Sequence, residues 1–166
     1  KDDFIKQFPN SKSKLHLLPI GIAPSLFVNA IPPVGLGQYI LHIGGFTFEK
    51  NHTGLISIFE KVLKIQPDAK LVCAGDGPLF TQIKEEVKKR NLEKKILLLG
   101  KRNDIPSLLK GAKMLVLPSI IEGLPGTILE AMYAKVMVIA YNVGGIGQVV
   151  NSSTGWLVEK IGRAHV

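Results

Sequence analysis

Residues 39–75 read YILHIGGFTFEKNHTGLISIFEKVLKIQPDAKLVCAG, and this stretch contains the pattern from which the fold can be predicted. Near-continuous apolar runs at residues 39–44 and 70–74 predict two buried strands. Between them, apolar residues at helical spacing form one stripe of an amphipathic helix: Leu55, Ile58, Phe59, Val62 and Leu63. A strand, a helix and a strand in this order indicate a βαβ unit of a parallel sheet.

The same alternation continues toward the end of the chain. Further apolar runs predict strands at residues 96–99, 114–117 and 136–140, with a short final strand at 155–158. Helices are expected over the stripe Leu79, Ile83 and Val87, after Asp104 as an N-cap with proline in the first turn, and at residues 129–133. The sequence therefore predicts an α/β fold with a Rossmann-like, doubly wound parallel sheet.

The two ends of the chain differ from this central pattern. Residues 1–37 contain a short predicted helix at 4–8, a strand-like run at 15–20 and a link with several prolines and glycines. We interpret residues 1–37 as the end of a preceding domain and a linker, and 38–160 as the Rossmann-like domain. Residues 161–166 break from the preceding pattern and are expected to be a non-native tail, so we expect a fragment of a longer protein.

Composition restricts the classes of function. Much of the net charge of +8 comes from lysines interleaved with glutamates at residues 84–95, which is typical of a solvated helix face. Aromatic interleaving for nucleic-acid binding is missing, so we expect no nucleic-acid partner. The sequence has one cysteine and no apolar run long enough to cross a membrane, and we expect a protein of the cytoplasm or of the inner face of the membrane.

The loop after the first predicted strand is the first candidate site, because ligands of doubly wound sheets bind outside the carboxyl ends of the strands. Gly44 and Gly45 allow a ligand to approach the backbone, and Lys50 stands at the start of the next helix. A bound anion would be favourable at that position. The loop is neither a P-loop nor a dinucleotide fingerprint, and a plain glycine turn with a solvated lysine is the alternative interpretation.

A second candidate site lies in residues 117–132, which read LPSIIEGLPGTILEAM. Glu122 and Glu130 flank backbone N–H groups at the expected start of a helix. Those N–H groups can bind a diphosphate, and the two carboxylates can accept hydrogen bonds from sugar or ribose hydroxyls. Helix capping is the alternative role for the glutamates, and the glycine-rich turn at 75–78 is by itself an ordinary turn.

These motifs together resemble those of family 4 glycosyltransferases. Glu122 and Glu130, with seven residues between them, resemble the E-x7-E signature of that family. The resemblance continues in register through EKN at 49–51, AGDGP at 74–78, DIP at 104–106, LPS at 117–119 and VGGI at 143–146, and residues 18–27 are similar to the segment that crosses between the two domains. The chain is thus identified as the C-terminal, donor-binding domain of a two-domain GT-B enzyme.

The resemblance implies a retaining glycosyltransferase of the hexosyltransferase type, whose donor is a UDP- or GDP-sugar. Glu122 would contact the transferred sugar, Glu130 the ribose diol and Lys50 the diphosphate, with Glu122 and Lys50 as the catalytic pair. Residues 102–105 would lie near the base, and the backbone of residues 123–127 near sugar and phosphate. The candidate donor-binding residues are Gly44, Gly45, Lys50, Arg102, Asn103, Ile105, Glu122, Gly123, Leu124, Pro125, Gly126, Thr127 and Glu130.

The same resemblance implies no cofactor and no metal, because fixed positive charge and helix N-termini would stabilise the leaving diphosphate. His16, His42 and His52 stand apart in the sequence, without metal-ligand spacing. An acceptor glycan or glycolipid would bind mainly to the missing N-terminal domain, and the full enzyme could contact the membrane peripherally. The fragment alone is expected to be inactive, within an enzyme of polysaccharide biosynthesis.

The sequence departs from the family pattern at four positions, and two other interpretations of its function compete with the resemblance. Gly45 stands where many members have a phosphate-binding arginine, and Gln148 where a glutamate often follows the VGGI turn. Lys135 and Met137 replace the usual glycine and proline. The competing interpretations are a non-catalytic nucleotide-binding module and a glycoside hydrolase with paired carboxylates.

Overall fold

The computed structural model describes Lys6 and residues 20–159, and its centre is a six-stranded parallel sheet. The strands are β1 (Tyr39–Ile43), β2 (Leu71–Ala74), β3 (Ile96–Leu98), β4 (Ala112–Leu117), β5 (Met137–Tyr141) and β6 (Gly155–Val158). Their order is β3-β2-β1-β4-β5-β6, and every neighbouring pair is parallel. This order reverses between β1 and β4, as in doubly wound folds, and places the binding crevice at their carboxyl ends.

Helices cover both faces of the sheet. They are α1 (Ser25–Val28), α2 (His52–Ile65), α3 (Phe80–Lys89), α4 (Ile105–Gly111) and α5 (Gly126–Tyr133), with 3-10 turns at Phe48–Lys50 and Ile146–Gln148. Buried residues of α2 and α3 pack on one face, and buried residues of α1, α4 and α5 pack on the other. The prediction of a Rossmann-like, doubly wound sheet is confirmed. In the part of the chain that the structure describes, no helix is both long and apolar enough to span a membrane.

One local prediction was wrong, and a second was confirmed in the position of the residue but not in a side-chain capping bond. Ile58, predicted in the apolar stripe of α2, is 36% exposed, whereas its neighbour Ile56 is 2% exposed and packs with Leu55 and Phe59. The apolar residues of α2 cover a wide arc of the helix surface, so their spacing alone allows either side of that arc to be buried. The side that includes Ile56 packs against the sheet. Asp104 is the N-cap residue of α4, but its side chain makes no capping bond, because Arg102 donates to it from Nε at 2.7 Å and from Nη2 at 2.6 Å.

Two elements begin earlier in the structure than the sequence predicted. The helix predicted at 129–133 begins at Gly126, and strand β4 begins at Ala112, earlier than the predicted 114. Of the helix predicted at 4–8, only Lys6 is described, and it is helical. Nearly all of the strand-like run at 15–20 and the whole tail at 161–166 lie outside the described residues. The division of the chain at residue 37 stays a prediction.

Candidate active site

The loops that follow β1, β2 and β4 are tied together at the carboxyl edge of the sheet by backbone hydrogen bonds. Gly44 N donates to Ala74 O at 3.0 Å, and Ile120 N donates to Glu49 O at 2.7 Å. Gly75 adopts a φ of +144°, and a Cβ added to it would lie 1.9 Å from Gly44 O. The first glycine of the AGDGP turn is therefore required, because the β1 loop passes directly over it.

Lys50 and Glu122 form an ion pair at this edge, although they are 72 positions apart in the sequence. Lys50 Nζ donates to Glu122 Oε1 at 2.5 Å. The lysine side chain is 23% exposed and the glutamate side chain 8% exposed. The structure thus brings the two candidate catalytic residues into direct contact and largely shields them from solvent. A partly buried ion pair is screened by salt less than one on the surface.

Asn51 fixes the position of Lys50. It adopts a left-handed backbone conformation with φ of 56°, a conformation that asparagine tolerates better than most residues. Its Oδ1 accepts from Gly54 N at 3.2 Å as the cap of α2, and its Nδ2 donates to Pro118 O at 3.0 Å. One side chain therefore ends the β1 loop, begins α2 and joins both to the loop that carries Glu122.

A glycine turn after β5 supports the backbone of Glu122. Gly145 N donates to Gly123 O at 2.7 Å. Gly144 has a φ of +57°, and a Cβ there would lie 1.8 Å from Glu122 O. In the sequence, VGGI at 143–146 is only one part of the family resemblance and indicates no role of its own. The structure shows that this turn packs against the glutamate loop.

The N-terminus of α5 lies next along this loop. The cap residue is Pro125, in an extended conformation, and no side chain caps the helix. The first N–H groups of α5, at Gly126 and Thr127, can therefore hydrogen-bond an anion. Glu130 is in the second turn, half-buried, and burial raises the pKa of its carboxyl above the ordinary value of 4.5. Leu124 and Gly123 connect Glu122 to this helix.

The loop predicted to lie near a base is at the same edge, but after the outer strand β3. Arg102 and Asn103 are exposed, and Ile105 begins α4. The Arg102 guanidinium holds the pKa of Asp104 below its usual range through their hydrogen bonds. Gly75 N donates to Gly100 O at 2.8 Å, which links this loop to the β2 turn. Within the part of the chain that the structure describes, no hydrogen bond joins this loop to Lys50 or Glu122.

Two histidines that stand apart in the sequence meet beneath the site. The rings of His42 and His52 are 4.7 Å apart and nearly perpendicular, and His52 also stacks on Phe46. His42 Nδ1 lies 2.8 Å from the Val116 carbonyl, so this nitrogen carries the proton. Burial lowers the pKa of His42 to about 4, against the hydrogen bond to Val116, which raises it. A histidine within the apolar run of β1 was the sequence signal for this buried pair.

Similarity to known proteins agrees with this geometry. Residues 32–162 match the family model described as glycosyl transferases group 1. The chain is 33% identical over 96% of its length to the UDP-Gal:α-D-GlcNAc-diphosphoundecaprenol α-1,3-galactosyltransferase of Escherichia coli, covering 45% of that protein. It is 36% identical over 74% of its length to the N-acetyl-α-D-glucosaminyl L-malate synthase of Bacillus anthracis, covering 32% of it.

A solved structure of similar extent is also known. The C-terminal domain of a glycosyl transferase group 1 family protein from Francisella tularensis superposes with a TM-score of 0.68 at 27% identity, covering 84% of this chain and 80% of that one. By contrast, the chain spans less than half the length of the two enzymes named above. On these similarities and on the fold, the chain belongs to the glycosyl transferases group 1 family.

Proposed function

We propose that this chain supplies the donor site of a retaining glycosyltransferase, which transfers a sugar from a nucleotide sugar to an acceptor hydroxyl. The observation that carries the proposal is the meeting of Lys50 and Glu122 beside the uncapped N-terminus of α5, at the carboxyl edge of the sheet. A cation, free N–H groups and a carboxylate in one crevice are what a sugar diphosphate requires.

The diphosphate is assigned to Lys50 and to the first N–H groups of α5, at Gly126 and Thr127. Both carry positive charge that is fixed before the reaction, and charge develops on the diphosphate as it leaves. In the proposed step the bond from the anomeric carbon to the diphosphate breaks while the acceptor oxygen bonds to the same face, and the acceptor proton passes to the departing phosphate. We propose that this chemistry uses no metal ion and no cofactor.

The two glutamates are assigned to hydroxyl groups of the donor. Glu122, nearly buried beside Lys50, accepts hydrogen bonds from the transferred sugar. Glu130 accepts from the ribose diol, and the two hydroxyls of the diol would satisfy a carboxylate whose burial otherwise favours its protonated form. Arg102, Asn103 and Ile105 are assigned to the side of the base.

The relatives suggest which donor and acceptor to test first. The Escherichia coli relative is named as using UDP-Gal and a sugar carried on diphosphoundecaprenol. We therefore propose a UDP-sugar as the first donor class, with GDP-sugars second, and a glycan or glycolipid acceptor held mainly by residues outside this chain. A lipid-linked acceptor would place the whole enzyme at the inner face of the membrane.

Ligand-observed NMR tests this proposal. Saturation transfer from the 166-residue chain to UDP, GDP and ADP should show selective binding of one nucleotide, and Glu130→Ala should abolish it. Glu85→Ala, which removes an exposed glutamate of α3, is the matched control and should bind like the parent. Silence from all three nucleotides in a folded chain, or cleavage of an aryl glycoside without nucleotide, would contradict the proposal.

A further inference from the structure

We propose that the Lys50–Glu122 ion pair makes the site discriminate against a bare nucleoside diphosphate, so that the pair favours the sugar-bearing donor and promotes release of the product. This inference rests on the proposed function, because it assigns the diphosphate to Lys50. It adds that Glu122 competes with the diphosphate for the same ammonium group, because Lys50 Nζ already donates to Glu122 Oε1.

The backbone on both sides of the pair is fixed. Gly144 and Gly145 pack against the carbonyl groups of Glu122 and Gly123, with a hydrogen bond of 2.7 Å from Gly145 N. On the other side, Asn51 is bonded to Pro118 O at 3.0 Å. The two charged groups can therefore separate by movement of their side chains, while the loops that carry them stay in place.

Separation of the pair has different consequences for the two ligands. A bare diphosphate that takes Lys50 leaves Glu122, only 8% exposed, without its cationic partner and close to a second negative charge. An unpaired and largely buried carboxylate is costly. A nucleotide sugar also takes Lys50, but its sugar hydroxyls donate to Glu122 and replace the lost hydrogen bond. Once the sugar has been transferred, the remaining diphosphate again opposes Glu122, and re-formation of the ion pair favours its release.

His42 cannot take over as the cationic partner of Glu122. Its ring lies near the pair, since a Cβ added to Gly44 would lie 3.3 Å from His42 Nε2 and 3.2 Å from Lys50 Cδ. Burial keeps that ring neutral, with its pKa lowered to about 4, and its Nδ1 proton is committed to the Val116 carbonyl at 2.8 Å. His52 is likewise neutral, since burial lowers its pKa to about 3. The penalty for the bare diphosphate is thus not relieved by proton uptake on either histidine near neutral pH.

Calorimetric titration of the 166-residue chain tests the inference with UDP and with UDP-galactose, UDP-glucose and UDP-N-acetylglucosamine. Glu122→Gln should bind UDP about tenfold more tightly than the parent, because no buried charge is left unpaired. Its affinity for the best sugar donor should stay the same or fall, so the preference for donor over UDP should shrink. Glu85→Gln removes the same charge from an exposed position on α3 and measures the general effect of net charge.

The outcomes separate this inference from the proposed function. A parent chain that binds none of these nucleotides overturns both. A parent that binds UDP, with a Glu122→Gln variant that binds it no more tightly than Glu85→Gln does, overturns the inference alone. Equal tightening toward UDP and donor also overturns it. If Glu122→Gln does not fold by circular dichroism, Glu122→Ala replaces it, with the same expected gain for UDP and a loss of donor affinity.

Discussion

Gly45 offers a direct test of how the diphosphate is held, because the resemblance to family 4 glycosyltransferases implies a phosphate-binding arginine at this position. A Cβ added to Gly45 would lie 3.6 Å from Asp76 O and 3.8 Å from Thr47 Cγ2, which are ordinary van der Waals distances. Gly45 is also not among the glycines with positive φ. The substitution Gly45→Arg should therefore fold without backbone strain and place a second cation beside Lys50.

The expected gain follows from two opposing terms. A hydrogen bond between a guanidinium and a phosphate is worth about 1.5–3 kcal/mol. Immobilising the arginine side chain costs about 0.5–1.5 kcal/mol. Taking the middle of each range, the net gain is about 1.25 kcal/mol, so UDP should bind about eightfold more tightly.

Isothermal titration of UDP at 0.15 M salt measures this change, with two controls. Gly45→Gln has a polar side chain of similar reach without the charge. Gly21→Arg adds the same charge at an exposed position where an added Cβ meets nothing within 4 Å. An affinity for Gly45→Arg that does not exceed both controls, in a chain with unchanged thermal stability, would refute the placement of the diphosphate next to Gly45.

Three further predictions follow from the structure. Gly144→Ala should displace the Glu122 carbonyl, which would lie 1.8 Å from the new Cβ, and should therefore lower both thermal stability and donor affinity. Gly123→Ala is the control: an added Cβ there meets nothing within 4 Å, so the free energy of unfolding should stay within about 1 kcal/mol of the parent. UDP affinity should be the same in EDTA as in millimolar Mg²⁺, and a large gain with Mg²⁺ in the titration would contradict metal-free binding. Acid should destabilise the chain through His42, because burial lowers the pKa of its ring from 6.5 to about 4 in the folded chain. As the pH falls, His42 takes up a proton in the unfolded chain before it does so in the folded chain. The stabilisation present above pH 6.5 is therefore lost as the pH falls toward 4. His42→Leu should flatten the thermal-melting profile over that range, and an unchanged profile would assign the acid sensitivity to other groups such as His52, whose pKa is also lowered by burial.

The sheet could be predicted from the sequence because each strand is a nearly continuous apolar run between turn-forming residues. What periodicity could not decide was the rotation of a helix whose apolar residues cover a wide angle. In α2 both Ile56 and Ile58 fit an apolar stripe with Leu55 and Phe59, and only the position of the sheet beneath the helix buries Ile56. Local pattern therefore determines that a helix forms, while packing determines which face it buries.

The residues of the candidate site could be named one by one from the sequence, but the contacts between them could not. Lys50 and Glu122 were each identified from a local motif, but their ion pair depends on β1 and β4 being neighbours in the sheet. That adjacency comes from the crossover order, in which β2 and β3 are placed on the other side of β1. A motif indicates which residue types are present, whereas the strand order determines which of them meet. The two histidines follow the same rule: a histidine within the apolar run of β1 indicated that His42 is buried, but only the fold brings the ring of His52 against it.

The least predictable residues of the site are two glycines that read as ordinary turn formers. Gly75 follows β2 and Gly144 follows β5, yet each excludes a side chain because a carbonyl of a different loop occupies the space. Gly75 contacts the Gly44 carbonyl in the loop of Lys50, and Gly144 contacts the Glu122 carbonyl. Each charged residue of the pair is thus supported by a glycine distant in the sequence. A rigid backbone frame of this kind leaves the side chains of Lys50 and Glu122 as the parts that can rearrange, which is what competition between a carboxylate and a diphosphate for one ammonium group requires.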